Sequence, residues 1–376
     1  MKKDWQIKKL KDICDKGSSN VNMKDLDKLD GEFPIYGASG FIKKVNFYHQ
    51  EKEYIGIIKD GSGIGRTMLL PPKSSVIGTI QYILPKENNS IHFINYALQS
   101  LDLAKYKQGA AIPHIYFRDY GETELVVPPL TEQKQIVKIL DQKFTQIDAL
   151  KQNAEANLNN AKALFQSELE KAFSNTEWEK KRLGDCGTFK NGMNFASTES
   201  GYSIHSLGVG DFKNLYKIEN TESLSEISLN AAPSEEYLLK DGDIVFVRSN
   251  GNKELVGRCL LVYPKNIPTT YSGFCIRFRK EFEQLDADFL LHYMKSDKSR
   301  KILNGKEGAN ISNLNQKILG DFEVPLPPLE EQKRIVAHLN SLSEKVHKLE
   351  EIYTKQLADC DELKQSFLQK AFAGEL

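Results

Sequence analysis

The stretch Pro128-Pro129-Leu130-Thr131-Glu132-Gln133-Lys134-Gln135-Ile136-Val137 returns as Pro327-Pro328-Leu329-Glu330-Glu331-Gln332-Lys333-Arg334-Ile335-Val336, an offset of 199. The same offset pairs Leu140 with Leu339, Leu150 with Leu349, Leu158 with Leu357, Leu164 with Leu363, and Lys171-Ala172-Phe173 with Lys370-Ala371-Phe372. From 128 to 173, 18 of 46 positions are identical without one gap. That density marks an internal duplication. Two segments held to one length behave as rigid spacers rather than as loops.

The duplication extends upstream. Gly109-Ala110-x-Ile112 returns as Gly308-Ala309-x-Ile311, and Gly121 as Gly320. Trp5-x4-Leu10-x-Asp12 is echoed by Trp178-x4-Leu183-x-Asp185 at an offset of 173, so the second copy is longer by 26 residues in its middle. Each copy is therefore a variable globular part followed by a helix of fixed length. The expected boundaries are 1–125 and 177–322 for the globular parts, and 126–176 and 323–376 for the helical ones.

Steps of four and three from Ile335 give Leu339, Leu342, Val346, Leu349, Tyr353, Gln356, Cys360, Leu363 and Phe367, a coiled-coil seam with one polar member. The first copy carries a less regular stripe from Ile136 through Leu140, Leu150 and Leu158 to Leu169. Neither run contains proline, and Pro-Pro precedes both, as suits a helix start. Helices of ~42 residues would reach ~63 Å. A helix pair of this length sets a distance, which makes it a ruler. A helix hairpin inside an ordinary helical domain is the plainer alternative.

The globular parts read as mixed strand and helix. Residues 53–58 and 67–70 form a strand and its return across the turn Lys59-Asp60-Gly61-Ser62-Gly63-Ile64-Gly65-Arg66. Residues 242–247 and 256–261 repeat that design in the second copy, and helices are expected over 92–106 and 286–303. The Gly-rich turn lacks the Gly-Lys-Ser/Thr ending of a phosphate loop. A tight strand turn, able to approach phosphate through backbone N–H groups, fits it better.

Composition narrows the class. The chain has 376 residues with 51 basic and 51 acidic side chains. Residues 1–125 carry 18 basic against 15 acidic, and residues 323–376 carry 7 against 10. Any polyanion must therefore meet a local patch rather than a global field. No apolar run of membrane-spanning length and no secretory leader is read, so a cytoplasmic, membrane-free protein is expected. The five scattered cysteines are expected as free thiols. No Asn-Pro-Pro-Tyr, His-Glu-x-x-His or Gly-x-Ser-x-Gly motif is present, and no Cys/His set has metal-ligand spacing. A non-catalytic, metal-free chain is the expectation.

Basic and amide side chains on matched loops suit phosphates and base edges: Arg and Lys for guanine, Asn and Gln for adenine. The candidates in the first copy are Tyr36, Ser39, Lys43, Lys59, Ser62, Arg66, Lys107 and Gln108. In the second they are Lys190, Asn191, Asn194, Arg248, Asn250, Asn252, Lys253, Arg258, Lys306, Asn310 and Asn313. On the helices, Phe144, Ile352 and Leu368 are expected to face partner proteins.

The arrangement resembles the specificity subunits of type I restriction-modification systems. Val-Pro-Leu-Pro-Pro-Leu-Glu-Glu-Gln-Lys-Arg-Ile-Val at 324–336 and its shorter counterpart at 127–137 look like the start of that family's conserved-region helices. Pro34-Ile35-Tyr36-Gly37-x-Ser39-Gly40, Asp60-Gly61-Ser62-x-Ile64-Gly65 and Gly242-Asp243-Ile244-Val245 resemble target recognition domain motifs. The resemblance implies an α+β fold with two target recognition domains, each followed by a long helix, and the helices packed as an antiparallel coiled coil with pseudo-two-fold symmetry. It implies double-stranded DNA with a bipartite site, two methyltransferase subunits and restriction subunits as partners. S-adenosylmethionine, ATP and Mg would then belong to those partners. A helical scaffold with two ligand domains and no DNA role remains a rival. Salt-dependent binding to duplex DNA separates the two.

Overall fold

The computed structural model describes residues 4–109, 113–212, 216–252, 255–303 and 313–376. Two compact units emerge. Unit 1 comprises Met1–Ala156 with Tyr353–Leu376, and unit 2 comprises Asn157–Ile352. The long helices Leu130–Ala172 and Leu329–Ala373 are each divided between the units.

In unit 1 a four-stranded sheet runs in the order Cys14–Ser18, Ile80–Pro85, Tyr54–Ile58, Thr67–Leu70, all neighbours antiparallel. A smaller sheet places Phe33–Gly37 between Gly40–Val45 and the parallel strand Ser75–Val76. Unit 2 repeats both. Gly187–Asn191, Cys275–Lys280, Asp243–Val247 and Cys259–Val262 take the same order, and Lys217–Ile218 adds a fifth strand. Its small sheet again has one antiparallel and one parallel neighbour, around Tyr202–Leu207. The added strand and its connections account for part of the extra length of the second copy.

The echo at the start of each copy has a structural role. Gln6–Lys9 pairs antiparallel with Glu124–Val127, and Lys180–Arg182 pairs likewise with Glu323–Pro325. Leu10 N–H donates to Thr123 O (3.0 Å), and Leu183 N–H to Phe322 O (2.9 Å). The first residues of each globular part thus clamp the strand that feeds the long helix.

The repeated glutamine explains itself by burial. Gln133 and Gln332 are 1% and 0% exposed. Gln332 Oε1 accepts from Asp286 N–H, and its Nε2 donates to Gln284 O and Pro327 O, each at 2.8 Å. Gln133 Oε1 accepts from Ser90 N–H (2.8 Å), and its Nε2 donates to Pro128 O (2.9 Å). Ser90 and Asp286 cap the short helices Ile91–Gln99 and Ala287–Lys295. One side chain therefore satisfies backbone groups at the starts of two helices, which would otherwise be buried unpaired.

Each unit contains a segment of an antiparallel helix pair. In unit 1, Asp148 meets Lys364 and Lys151 meets Asp361, so one number rises as the other falls. In unit 2, Glu168 faces His338 at 3.4 Å, and Ala161, Phe165, Leu339 and Val346 share one core. The seam departs from strict heptads. Leu349 and Leu363 are 37% and 42% exposed, and Gln356 is exposed too. Their C-terminal neighbours Glu350, Leu357 and Lys364 turn inward instead. The first helix does the same where Leu150 lies outside (48%) and Lys151 is half-buried. Both seams follow equivalent positions of the 199 repeat: Leu140, Ile147, Ala154 and Ala161, like Leu339, Val346 and Cys360, keep heptad spacing, and the four-residue steps from Ala161 to Phe165 and Leu169 shift the stripe toward the helix end.

This shift corrects Leu368 as a partner-facing residue. Leu368 is 2% exposed and lies in the unit 1 core, because it is the repeat equivalent of the buried Leu169. Phe144 is half-buried, its ring 5.3 Å from Tyr96 and under the Lys364 ammonium. Ile352 is exposed at 57%. The helix expected over 92–106 stops at Gln99, where Ser100 Oγ donates back to Ala97 O, and a separate 3-10 turn covers Leu103–Tyr106. The helix expected over 286–303 breaks at the extended residue Ser296. The cysteines are free and buried.

Candidate nucleic-acid interface

The same backbone frame is built twice. In unit 1 the wholly buried strand Tyr54–Ile58 emerges at Lys59. Ile58 N–H donates to Arg66 O (3.0 Å) and Gly65 N–H to Ile58 O (2.9 Å), which pinches off the turn between them. Lys59 N–H donates to Thr79 O (2.9 Å), and Lys59 O accepts from Ile115 N–H (3.0 Å). In unit 2 each bond has a counterpart. Val247 N–H donates to Arg258 O (2.8 Å), Gly257 N–H to Val247 O (2.9 Å), Arg248 N–H to Phe274 O (2.8 Å), and Leu314 N–H to Arg248 O (2.9 Å). The frame therefore equates Lys59 with Arg248, Asp60 with Ser249, Arg66 with Arg258, Thr79 with Phe274, and His114 with Asn313. Single β-bridges join Asp60 to His114 and Ser249 to Asn313.

In unit 1 the frame gathers several candidates. Gln108 bridges to His114, their N–H and C=O groups exchanging bonds of 2.8 and 2.9 Å, and the Gln108 amide donates to Asp119 (2.8 Å). Arg66 folds back over its turn toward Gly63 O and Ala38 O, both at 3.4 Å. A Cβ on Gly63 would sit 2.4 Å from the guanidinium, so glycine permits the fold. That contact brings the hairpin tip bearing Ser39 to the turn bearing the exposed Ser62. Lys107 is exposed beside Gln108. Two candidates stand apart. Lys43 is held by Asp30 (2.8 Å) and Leu26 O (3.0 Å), and Tyr36 packs on the small sheet against Phe41.

Four residues outside the sequence candidates, Asp60, His114, Tyr116 and Arg118, join this cluster. His114 Nδ1 contacts the Asp60 carboxylate, its ring lies 4.0 Å from Tyr116, and the Arg118 guanidinium stacks 4.6 Å from the Tyr116 centroid. A carboxylate on one imidazole nitrogen fixes the ring and turns the other nitrogen outward. The 199 offset maps His114 onto Asn313, so the repeat itself carried the signal for this residue.

In unit 2, Asn250 and Asn313 line one open cavity of about 560 Å³ together with Val209, Ser249, Gly251, Ser272 and Phe274, and Asn194 and Arg248 reach the neighbouring Gly273. Arg248 Nη1 donates to Gly273 O at 3.4 Å. Asn194 packs so closely on Gly273 that a Cβ there would sit 2.0 Å from its Oδ1. Asn250 Oδ1 accepts from Asn252 N–H (2.8 Å), and Arg258 closes the turn. Lys190 does not project into this group. It pairs with Glu236 at 2.7 Å over the Tyr237 ring, and that carboxylate raises its pKa. Asn191 sits in a sheet strand with its Oδ1 buried and unpaired among the described residues. Lys253, Lys306 and Asn310 lie outside the described residues.

The aspartate of Gly242-Asp243-Ile244-Val245 is structural. It is 1% exposed, takes a two-pronged contact from Arg279 (2.7 and 2.8 Å), and accepts from Lys240 N–H (2.7 Å). It fixes the turn that starts the central strand rather than reaching the open loops.

Two sheet domains, each followed by a long helix, thus offer the same loop frame twice, with amide, cationic and aromatic side chains at the loops. The chain belongs to the family of the type I restriction modification DNA specificity domain, whose model matches residues 2–160 and again 175–357. The StySPI specificity subunit of Salmonella potsdam is 28% identical over 311 residues, covering 77% of this chain and 65% of that one. The MjaVIII specificity subunit of Methanocaldococcus jannaschii is 25% identical, covering 99% of this chain and 93% of that one. The chain thus spans just under two thirds of the StySPI subunit and nearly all of the MjaVIII subunit. Among solved structures, a chain of a type I R-M system has a TM-score of 0.75 at 19% identity, covering 100% of this chain and 99% of its own length. The HsdS subunit of Thermoanaerobacter tengcongensis scores 0.53 at 18% identity. These likenesses agree with the duplicated fold.

Proposed function

We propose that this chain is the DNA-reading, non-catalytic subunit of a type I restriction-modification complex. Each sheet domain binds one half of a bipartite double-stranded site, and the helices set the distance between the halves. Exposed helix positions dock two methyltransferase subunits, and restriction subunits join them. S-adenosylmethionine, ATP and Mg act on those partners, and the complex works in the cytoplasm.

The observation that carries this reading is the duplicated loop frame with different side chains on it. Lys59, Asp60, Thr79 and His114 in one unit stand where Arg248, Ser249, Phe274 and Asn313 stand in the other. A constant frame gives a constant approach to the duplex, and variable side chains give two different half-sites. Phosphates supply most of the affinity and base edges the selectivity.

The test is binding of the full chain, assembled with its methyltransferase partners, to duplex DNA over a salt series. Log-linear weakening with salt and a preference for one bipartite sequence are expected. Absence of duplex binding at low salt would refute the reading and favour a scaffold role.

A further inference from the structure

Phe274 is a large aromatic side chain set where folding alone would not put it. It is 58% exposed at the rim of the unit 2 cavity, yet its backbone is firmly held. Its carbonyl accepts from Arg248 N–H (2.8 Å) and Ser249 N–H (3.4 Å), and its own N–H donates to Ser272 Oγ (3.3 Å). The same cavity is lined by the exposed Asn313, whose side-chain amide has no hydrogen-bond partner among the described residues. Arg248 stands beside both. Besides Phe274 the cavity is lined by the half-buried Val209, Gly251 and the polar Ser249, Asn250, Ser272 and Asn313, so its large exposed apolar area is one ring, too little for a protein hot spot. A carboxamide and an apolar ring lining one open cavity suit the major-groove edge of an A·T pair. The amide can both give to adenine N7 and accept from its N6, and the ring can cover the thymine methyl.

We infer that Asn313 and Phe274 read one A·T base pair of the second half-site, Asn313 on the adenine edge and Phe274 against the thymine methyl group. The inference rests on the DNA-reading function proposed above. Unit 1 has Thr79 and His114 at the equivalent places, so its half-site is read by different chemistry.

The test uses the assembled complex and its recognised duplex, identified from the methylation pattern of its host. Each thymine of the second half-site is replaced in turn by deoxyuridine, which lacks only the methyl group. One replacement weakens the wild-type complex about fourfold, the value of one buried methyl, and leaves Phe274→Ala unaffected. Asn313→Ala lowers discrimination at that same base pair at least fivefold. Both variants keep the wild-type unfolding temperature, which shows that they fold. Insensitivity to every replacement, or equal sensitivity in Phe274→Ala, overturns the inference while leaving DNA reading intact. A wild-type complex with no preferred sequence overturns the functional reading itself.

Discussion

Replacing Gln332 by leucine keeps its volume and removes its hydrogen bonds. The side chain is 0% exposed, and three backbone groups depend on it: Asp286 N–H, Gln284 O and Pro327 O. Leucine leaves all three in place without partners. A buried backbone group left unsatisfied costs ~1–3 kcal/mol. Two of the three contacts are only partly buried, so the lower end applies to them. The sum is about 3–5 kcal/mol, which for a unit of this size lowers the unfolding temperature by about 6–20 °C. Gln133→Leu loses two bonds and should cost about 2 kcal/mol in unit 1. Calorimetric unfolding of the full chain reads both. A loss below about 1 kcal/mol for Gln332→Leu would refute the clamp as the reason the glutamine recurs.

Leu368→Ala should destabilise unit 1 by about 2–4 kcal/mol, since the side chain is buried. Ile352→Glu should leave stability within about 0.5 kcal/mol and abolish co-purification with the methyltransferase subunits. Retained assembly would count against helix docking. Inserting seven residues at equivalent points of both long helices, after Asn157 and Gln356, preserves the seam and adds ~10 Å. The spacer between the half-sites should then grow by about three base pairs, as read by methylome sequencing. Burial lowers the pKa of His292, which hydrogen-bonds Asn340 (2.9 Å), and of His49. The unfolded chain therefore binds more protons below a pH of about 6.5, so stability is full above that value and falls as pH drops beneath it. His292→Asn should flatten this slope in a denaturation series run from pH 7.5 to 5.

The repeat, the two helices and the strand-turn-return design were legible because each rests on local pattern. Pro-Pro before a proline-free run starts a helix whatever surrounds it. The seam was half legible. Counting heptads from Ile335 placed Leu349 and Leu363 inside, whereas following the repeat from Leu169 would have placed Leu368 there. The pairing of Lys43 with Asp30 and of Lys190 with Glu236 was not legible, because tertiary packing brings each carboxylate to its lysine. His114 was within reach through its repeat partner Asn313. Phe274 was not, since an aromatic residue after glycine gives no hint of whether its ring faces core or solvent. Tertiary packing alone decides that.

The central claim is that two separate domains each read half of one DNA site. The most direct test exchanges residues 178–322 for the corresponding domain of a relative and maps methylated bases in cells carrying the chain with its methyltransferase. The account predicts a bipartite motif in which one half is unchanged and the other takes the relative's sequence. A change in both halves, or a motif that is not bipartite, would contradict it.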